Sequence, residues 1–209
     1  TIGQMLSGVL HDLRTPMTIV SGYVQLMAGS DDAAERSHHG ELVLKQLEHI
    51  NAMTREVLAF ARGENTLFIR KVYLNRFLDQ IGEQIGPECA AQNVRLVLDA
   101  SYRGIAHFDE VKIRRAFLNL VRNALEAVRP RGHGTLTIRA AERGGRLSFE
   151  FADDGPGIPE GIRGDPFRLF VSAGRAEGTG LGLAIVKRIV DENGGTIAFE
   201  TGEKGTVFH

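Results

Sequence analysis

The sequence predicts an all-α hairpin that forms a dimeric four-helix bundle, followed by an α+β two-layer sandwich. Three observations predict it. Two apolar seams with heptad spacing fill the first third of the chain. A polar, glycine-containing break follows them. From there on, strand-like and helix-like segments alternate and the late strands are joined by short turns. A chain of 209 residues has room for one large domain or two small ones.

The first seam runs through Leu6, Leu10, Leu13, Met17, Val20, Val24 and Met27, in alternating steps of four and three. Such a stripe is what a helix pairing with another helix presents. "AGSDD", Ala28 to Asp32, ends it, and a second seam follows at Val43, Leu47, Ile50, Thr54, Val57 and Ala61. Two helices joined by a short polar loop make an antiparallel hairpin. A lone hairpin has too little core to be stable, whereas two paired hairpins bury both seams. The alternative is a hairpin packed against the rest of its own chain. "RGENT", Arg62 to Thr66, closes the pattern, so we place a helical domain at 1–64 and a second domain at 67–209.

In the second domain "LFIRKVYL" alternates like a strand. "NRFLDQIGEQIGPECAAQ" reads as a helix capped by Asn75, and "VRLVLDA" and "GIAHF" read as strands. Asp109 caps a long amphipathic helix that runs to Val128. "GTLTIRAAE" and "RLSFEFAD" form a hairpin around Gly144 and Gly145. "LGLAIVKRIVDENGG" is a helix closed by Gly194 and Gly195, and "TIAFET" and "TVFH" are final strands. We expect one mixed sheet covered by helices.

Composition excludes several classes. Twenty-five basic and 26 acidic residues are interspersed and leave a net charge of −1, which offers no electrostatic grip on nucleic acid or an anionic membrane. The one cysteine, Cys89, cannot form an intrachain disulfide, and no Cys/His cluster has zinc spacing. A reducing, cytoplasmic setting follows. No apolar run approaches the roughly 18 residues of a membrane span, and no signal peptide is recognisable. The chain starts inside a helical pattern. We therefore expect a piece of a longer protein, in which a membrane span or sensor would belong to an upstream part.

Three polar constellations carry chemistry. Asn119 and Asn123 lie four apart in "NLVRNALEA", so both amides project from one helix face, where they offer oxygens to a hard cation and N–H groups to phosphates. Leu118, Val121, Leu125 and Val128 take the other face. In "DDGPGIP", Gly155 and Gly157 allow a tight turn after a strand, and Asp153 at the strand end can accept a hydrogen bond from an exocyclic amine such as adenine's. In "GTGLGLAIVKRI", Gly178, Gly180 and Gly182 precede a helix whose free N–H groups make an anion site. No Gly-Lys-Ser/Thr follows, and the run comes too late for a dinucleotide fingerprint, so phosphate binding calls for a different fold.

Taken in order, the helical His-Asp-x-x-Thr-Pro at His11–Pro16, then Asn-x-x-x-Asn, Asp-x-Gly-x-Gly and Gly-x-Gly-x-Gly resemble a sensor histidine kinase of two-component signalling. The resemblance covers essentially the whole chain. It comprises the dimerisation and histidine-phosphotransfer hairpin, then the ATP-binding domain of the gyrase/Hsp90/kinase/MutL (GHKL) superfamily with its Bergerat fold. It implies ATP and Mg2+ as cofactors, and a second copy of the chain and a response-regulator receiver domain as partners. His11 would be the phospho-acceptor, neutral enough at cell pH to attack. Asp12 would accept its other ring proton. Pro16 would remove the N–H that bonds the carbonyl of Asp12 and loosen the helix beside the histidine. Thr15 resembles the family's phosphatase threonine. Asn123 would be the metal ligand and Asn119 a phosphate or metal-shell contact. Asp153 would read the adenine amine, and Gly155 and Gly157 would shape its pocket. Gly178, Thr179, Gly180, Leu181 and Gly182 would line the phosphate site. Arg175 and Lys187 would touch phosphate, and Thr206 would serve the adenine water network. "PFRLF", with Phe167 and Phe170, matches the segment before the nucleotide lid, here a short one at about Val171 to Glu177. "FRLF" replaces the commoner Phe-Glu-Pro-Phe. A phosphatase-dominant protein, a non-catalytic dimeric scaffold and another ATPase of the superfamily are the competing readings.

Overall fold

Ile2–Gly29 form helix α1 and Ala33–Ala61 form helix α2. The protein is described from a computed structural model covering residues 2–61, 67–99, 102–168 and 180–209. For residues 2–12, 15, 49, 52, 53, 55–61 and 143 the backbone alone is described. The turn between α1 and α2 is built by its own polar side chains. Asp32 Oδ1 accepts from Ala34 N at 2.7 Å, Ser30 Oγ donates to Glu35 at 2.8 Å, and Arg36 donates to the Ser30 carbonyl at 2.9 Å. The first of these bonds satisfies an amide in the opening turn of α2, and together they fix the reversal. Tyr23 of α1 stacks on His39 of α2, their ring centroids 5.7 Å apart.

α1 continues as helix through Pro16, which is buried. Thr18 Oγ1 and Ser21 Oγ donate back to the carbonyls of Arg14 and Met17, bonds that bend a helix without breaking it. The expected seam divides. Leu13, Val20 and Met27 are half-buried, with Pro16 and Tyr23 completing their stripe. Met17 and Val24 lie off that stripe and stay 59 % and 49 % exposed, and Leu44 and Leu47 of α2 are exposed as well.

The chain divides into two compact units: among the described residues, one holds the hairpin of α1 and α2 together with Gly180 and Leu181, and the other holds residues 67–168 and Gly182–His209. The second unit begins with strand β1 (Arg70–Tyr73) and helix α3 (Leu74–Ala91). Strands β2 (Val94–Asp99) and β3 (Ile105–Phe108) precede helix α4 (Glu110–Val128). The hairpin β4 (Gly134–Arg143) and β5 (Arg146–Asp153) follows. A single turn α5 (Glu160–Arg163), helix α6 (Gly182–Glu192) and strands β6 (Phe199–Gly202) and β7 (Gly205–Phe208) complete it.

Among the described residues the strands form two sheets, not the single mixed sheet expected. β1 pairs only with β3, antiparallel, and the larger sheet has the order β2-β4-β5-β7-β6. β2 runs parallel to β4 and the other neighbours are antiparallel. The helix over Leu74–Ala91 also differs from its expected start. It begins one residue before Asn75, at a fully buried leucine whose amide is already satisfied by the Gly104 carbonyl at 3.2 Å. Burial of Leu74 decides the boundary, and no side-chain cap is made.

The core is aromatic. Phe117 of α4 meets Phe149 and Phe151 of β5 edge-on at 4.9 and 4.6 Å, and Phe77 of α3 at 5.1 Å. Leu136, Ile138 and Ala140 of β4 lie buried beneath the helices. Cys89 is buried in α3, and burial pushes its thiol up, away from reactivity. Among the described residues no helix is long and apolar enough to cross a membrane.

Candidate functional site

The helix-facing side of the large sheet changes character along its strands. One row is apolar: Phe151 of β5, Phe208 of β7 and Phe199 of β6 are cross-strand partners. One pleat further on, the same three strands present Asp153, Thr206 and Thr201, again in register. Because side chains two apart share a face, the polar row borders the core directly. Thr206 is buried, and its hydroxyl lies 3.1 Å from that of Thr201.

The turn after β5 closes over this row. Gly155 N donates to Asp153 Oδ1 at 2.9 Å, and Ile158 N donates to Thr201 Oγ1 at 2.8 Å. The adjacent carboxylate goes elsewhere: Asp154 Oδ1 accepts from Thr135 N of β4 at 2.9 Å. The two glycines expected here are required by space. A Cβ on Gly155 would stand 2.9 Å from Ala127 Cβ of α4. A Cβ on Gly157, whose φ is +79°, would collide with the Gly202 carbonyl. The turn is thus pressed against α4 on one side and β6 on the other.

α4 brings the paired amides. Asp109 caps it through a bond from Lys112 N at 3.1 Å, as expected. Asn119 is 9 % exposed and Asn123 half-buried, so the pair is not on an open helix surface. Nδ2 of each is buried without a hydrogen-bond partner. Two such atoms in one helix face are costly unless a ligand completes them. A Cβ placed on Gly182, the first residue of α6, would lie 3.8 Å from Asn123 Oδ1. Asn123 therefore faces the N-terminus of α6, where amides without helical partners favour negative charge. Gly180, at φ +63°, and the buried Leu181 lead into that terminus.

The far ends of the two helices are joined as well. Asp109 N donates to Asn193 Oδ1 at 2.9 Å, and Lys112 Nζ meets Glu192 at 2.8 Å. α4 and α6 are thus antiparallel, with the asparagines at one end and a polar cluster at the other. Burial pushes the Glu192 carboxyl up, but the bonds and charges of Lys112 and Arg188 outweigh it and hold it below its ordinary value.

Asn119, Asn123 and Gly182 therefore form one group, and Asp153, Gly155, Gly157 and Thr206 another. Lys187 pairs with Asp191 one turn further along α6. Arg175, Gly178, Thr179, Phe170 and the Val171–Glu177 lid lie outside the described residues, as do the side chains of His11, Asp12 and Thr15, whose backbone is helical. Thr201, which links the turn to the strand row, was missed by sequence reasoning. Its only local signal is its place across a tight turn from Thr206. Among the described residues no cluster of three or more acidic, histidine or cysteine side chains is arranged around a metal.

Residues 1–66 match the family described as His Kinase A (phospho-acceptor) domain. Residues 108–209 match the one described as Histidine kinase-, DNA gyrase B-, and HSP90-like ATPase. The chain is 29 % identical over 217 residues to the C4-dicarboxylate transport sensor protein DctB of Rhizobium meliloti (strain 1021), covering 99 % of this chain and 34 % of that protein. It is 28 % identical over 213 residues to sporulation kinase A of Bacillus subtilis (strain 168), again 99 % of this chain and 34 % of that one. It thus spans about a third of the length of these relatives. Its fold is similar to that of histidine kinase ThkA, solved in complex with response regulator protein TrrA, at a TM-score of 0.83 and 24 % identity over 99 % of this chain and 60 % of that one.

Proposed function

We propose, from the premise that this chain belongs to the sensor histidine kinases of two-component signalling, that it moves the terminal phosphoryl group of Mg-ATP to His11 and then to an aspartate on a response-regulator receiver domain. The observation that carries the reading is the pair of buried, unpartnered amide nitrogens of Asn119 and Asn123 on one face of α4, with Asn123 facing the start of α6. They fit a ligand that brings both a cation for amide oxygen and phosphate oxygens for amide N–H.

Bound Mg-ATP supplies the phosphoryl group and the cation that neutralises its charge; the protein positions both. Asn123 offers its oxygen to the magnesium ion, and Asn119 completes the phosphate or metal shell. The free amides at the start of α6, with the glycines before it, receive phosphate oxygens. Asp153 accepts from the adenine amine, and Thr206 orders water beside it. His11 would attack as the neutral imidazole through its unprotonated nitrogen, the bond from the γ-phosphorus to the bridging oxygen breaking so that ADP leaves, while Asp12 accepts a hydrogen bond from the ring's one N–H. Positioning and charge neutralisation carry the rate, so the chain needs no further acid or base.

The exposed apolar side chains Met17, Val24, Leu44 and Leu47 support a homodimer, in which a second hairpin covers them. A scaffold without catalysis has no use for two buried unpaired amides. A phosphatase-dominant protein is not favoured, since the relatives are named as a sensor protein and a kinase. A kinase that draws on ATP works where ATP is made available, and the cytoplasm is the compartment we propose for this part of the protein.

Incubation with γ-labelled ATP and mapping of acid-labile phosphate tests the reading. Label is expected on His11, and His11→Gln should bind nucleotide yet take up no phosphate. Normal labelling of that variant overturns the assignment.

A further inference from the structure

Asp109 does more than a helix cap requires. It is 4 % exposed and lies between β3 and α4. A cap needs one acceptor oxygen, which serine supplies without bringing a charge into the interior. Here Oδ1 accepts the capping bond from Lys112 N, and Oδ2 accepts from Phe68 N at 3.0 Å, from the lead-in segment just before β1. The backbone N–H of Asp109 donates to Asn193 Oδ1, and Asn193 Nδ2 in turn donates to the Ile189 carbonyl at 2.9 Å. One buried residue thus holds the lead-in segment, the start of α4 and the end of α6 together.

Both helices carry the nucleotide-facing residues at their opposite ends. Asn123 lies eleven residues beyond Lys112, about 16 Å along α4. The gap between Asn123 and Gly182 depends on how far α4 has slid along α6, and that register is fixed where Asp109, Lys112, Arg188, Glu192 and Asn193 meet. A second tie runs in parallel, Arg70 to Glu110 at 2.8 Å. A pull on the lead-in segment must break the Phe68–Asp109 bond or drag the first turn of α4 with it.

We infer that Asp109 is a positioning residue that couples the lead-in segment at Phe68 to the nucleotide site, so that displacement of that segment changes nucleotide affinity. The inference rests on the reading of Asn123 and Gly182 as the Mg-ATP site.

Phe68 allows a clean test, because its side chain is 71 % exposed. Phe68→Pro deletes the amide donor, while Phe68→Ala keeps it and removes only the ring. Asp109→Ser keeps a capping oxygen and cannot serve Phe68 as well. Mg-ATP affinity is measured by calorimetry on the whole chain, with hydrogen exchange of α4 in the nucleotide-free protein and a melting curve for each variant. Phe68→Pro and Asp109→Ser should each weaken Mg-ATP binding by about fivefold or more. Their double variant should be no weaker than the worse single, and Phe68→Ala should match wild type. Exchange at the Asn123 end of α4 should rise in the same two variants. Unchanged affinity in Phe68→Pro, or losses that simply add, overturns the coupling. If Phe68→Pro fails to fold, Asp109→Ser against Phe68→Ala decides: equal affinity in both refutes it. A wild-type chain that binds no Mg-ATP refutes instead the reading of the site.

Discussion

A methyl group at Gly157 has nowhere to go. The backbone there is left-handed at φ +79°, and the space a side chain would take is filled by the Gly202 carbonyl and Thr201. Gly157→Ala should therefore lower stability by about 2 kcal/mol, from the left-handed backbone and the clash together. It should also weaken nucleotide binding, because Thr201 holds both Ile158 and Thr206. Gly161→Ala, in open space, is the control, and equal melting temperatures for the two variants would disprove the account. Asn123 predicts the opposite signature. Its Nδ2 makes no bond in the protein, so Asn123→Ala removes a buried group that nothing satisfies. Melting should stay at or above wild type while Mg-ATP affinity falls at least about tenfold, roughly 1.4 kcal/mol. Calorimetry and melting on one preparation would show both, and a variant that loses stability but not affinity would rule it out. The asparagine pair and the glycines were legible in the sequence because residue type and spacing together are unusual. Thr201 and Asn193 were not, since their partners lie 43 and 84 residues away. Beyond the place of Thr201 across a tight turn from Thr206, nothing local marks either as different from a surface polar residue.

At the scale of elements, the antiparallel pair α4 and α6 is held at its far end by charge. Glu192 bridges Lys112 and Arg188, each at 2.8 Å, and is held below its ordinary carboxyl value. A carboxylate lowered on folding contributes stability that is full above its unfolded value and lost as pH falls through the lowered folded value. Acidification through that range should thus lower the melting temperature of wild type more steeply than that of Glu192→Gln, and the two should converge in acid. Parallel curves would show that Glu192 contributes nothing to the pH dependence. The elements themselves were largely legible. Heptad steps gave both helices of the hairpin, and Asp109 marked the start of α4. What local pattern could not supply was pairing. The alternation of "LFIRKVYL" announces a strand but not that it joins β3 apart from the main sheet. Nor does an apolar heptad say which of its positions the neighbouring helix covers, as the exposure of Met17 and Val24 shows. Asn75 read as a cap because it is polar, but the core had already claimed Leu74.

For the molecule as a whole, the exposed stripe of the hairpin predicts association. Leu44→Glu with Leu47→Glu should turn a sedimenting dimer into a monomer and leave Mg-ATP affinity of the second unit unchanged. A wild-type chain that sediments as a monomer at tens of micromolar would remove the bundle from the account. The topology of the large sheet carries a different consequence. β7 lies between β5 and β6, and Thr206 within it is the middle member of the polar row. Yet Gly205–Phe208 come later in the chain than Asn119, Asn123, Asp153 and Gly182. The polar row is therefore complete only once this strand has inserted between two that precede it in the chain. A chain cut before Gly205 would keep Asp153 and Thr201 but lose the strand that holds the two in register.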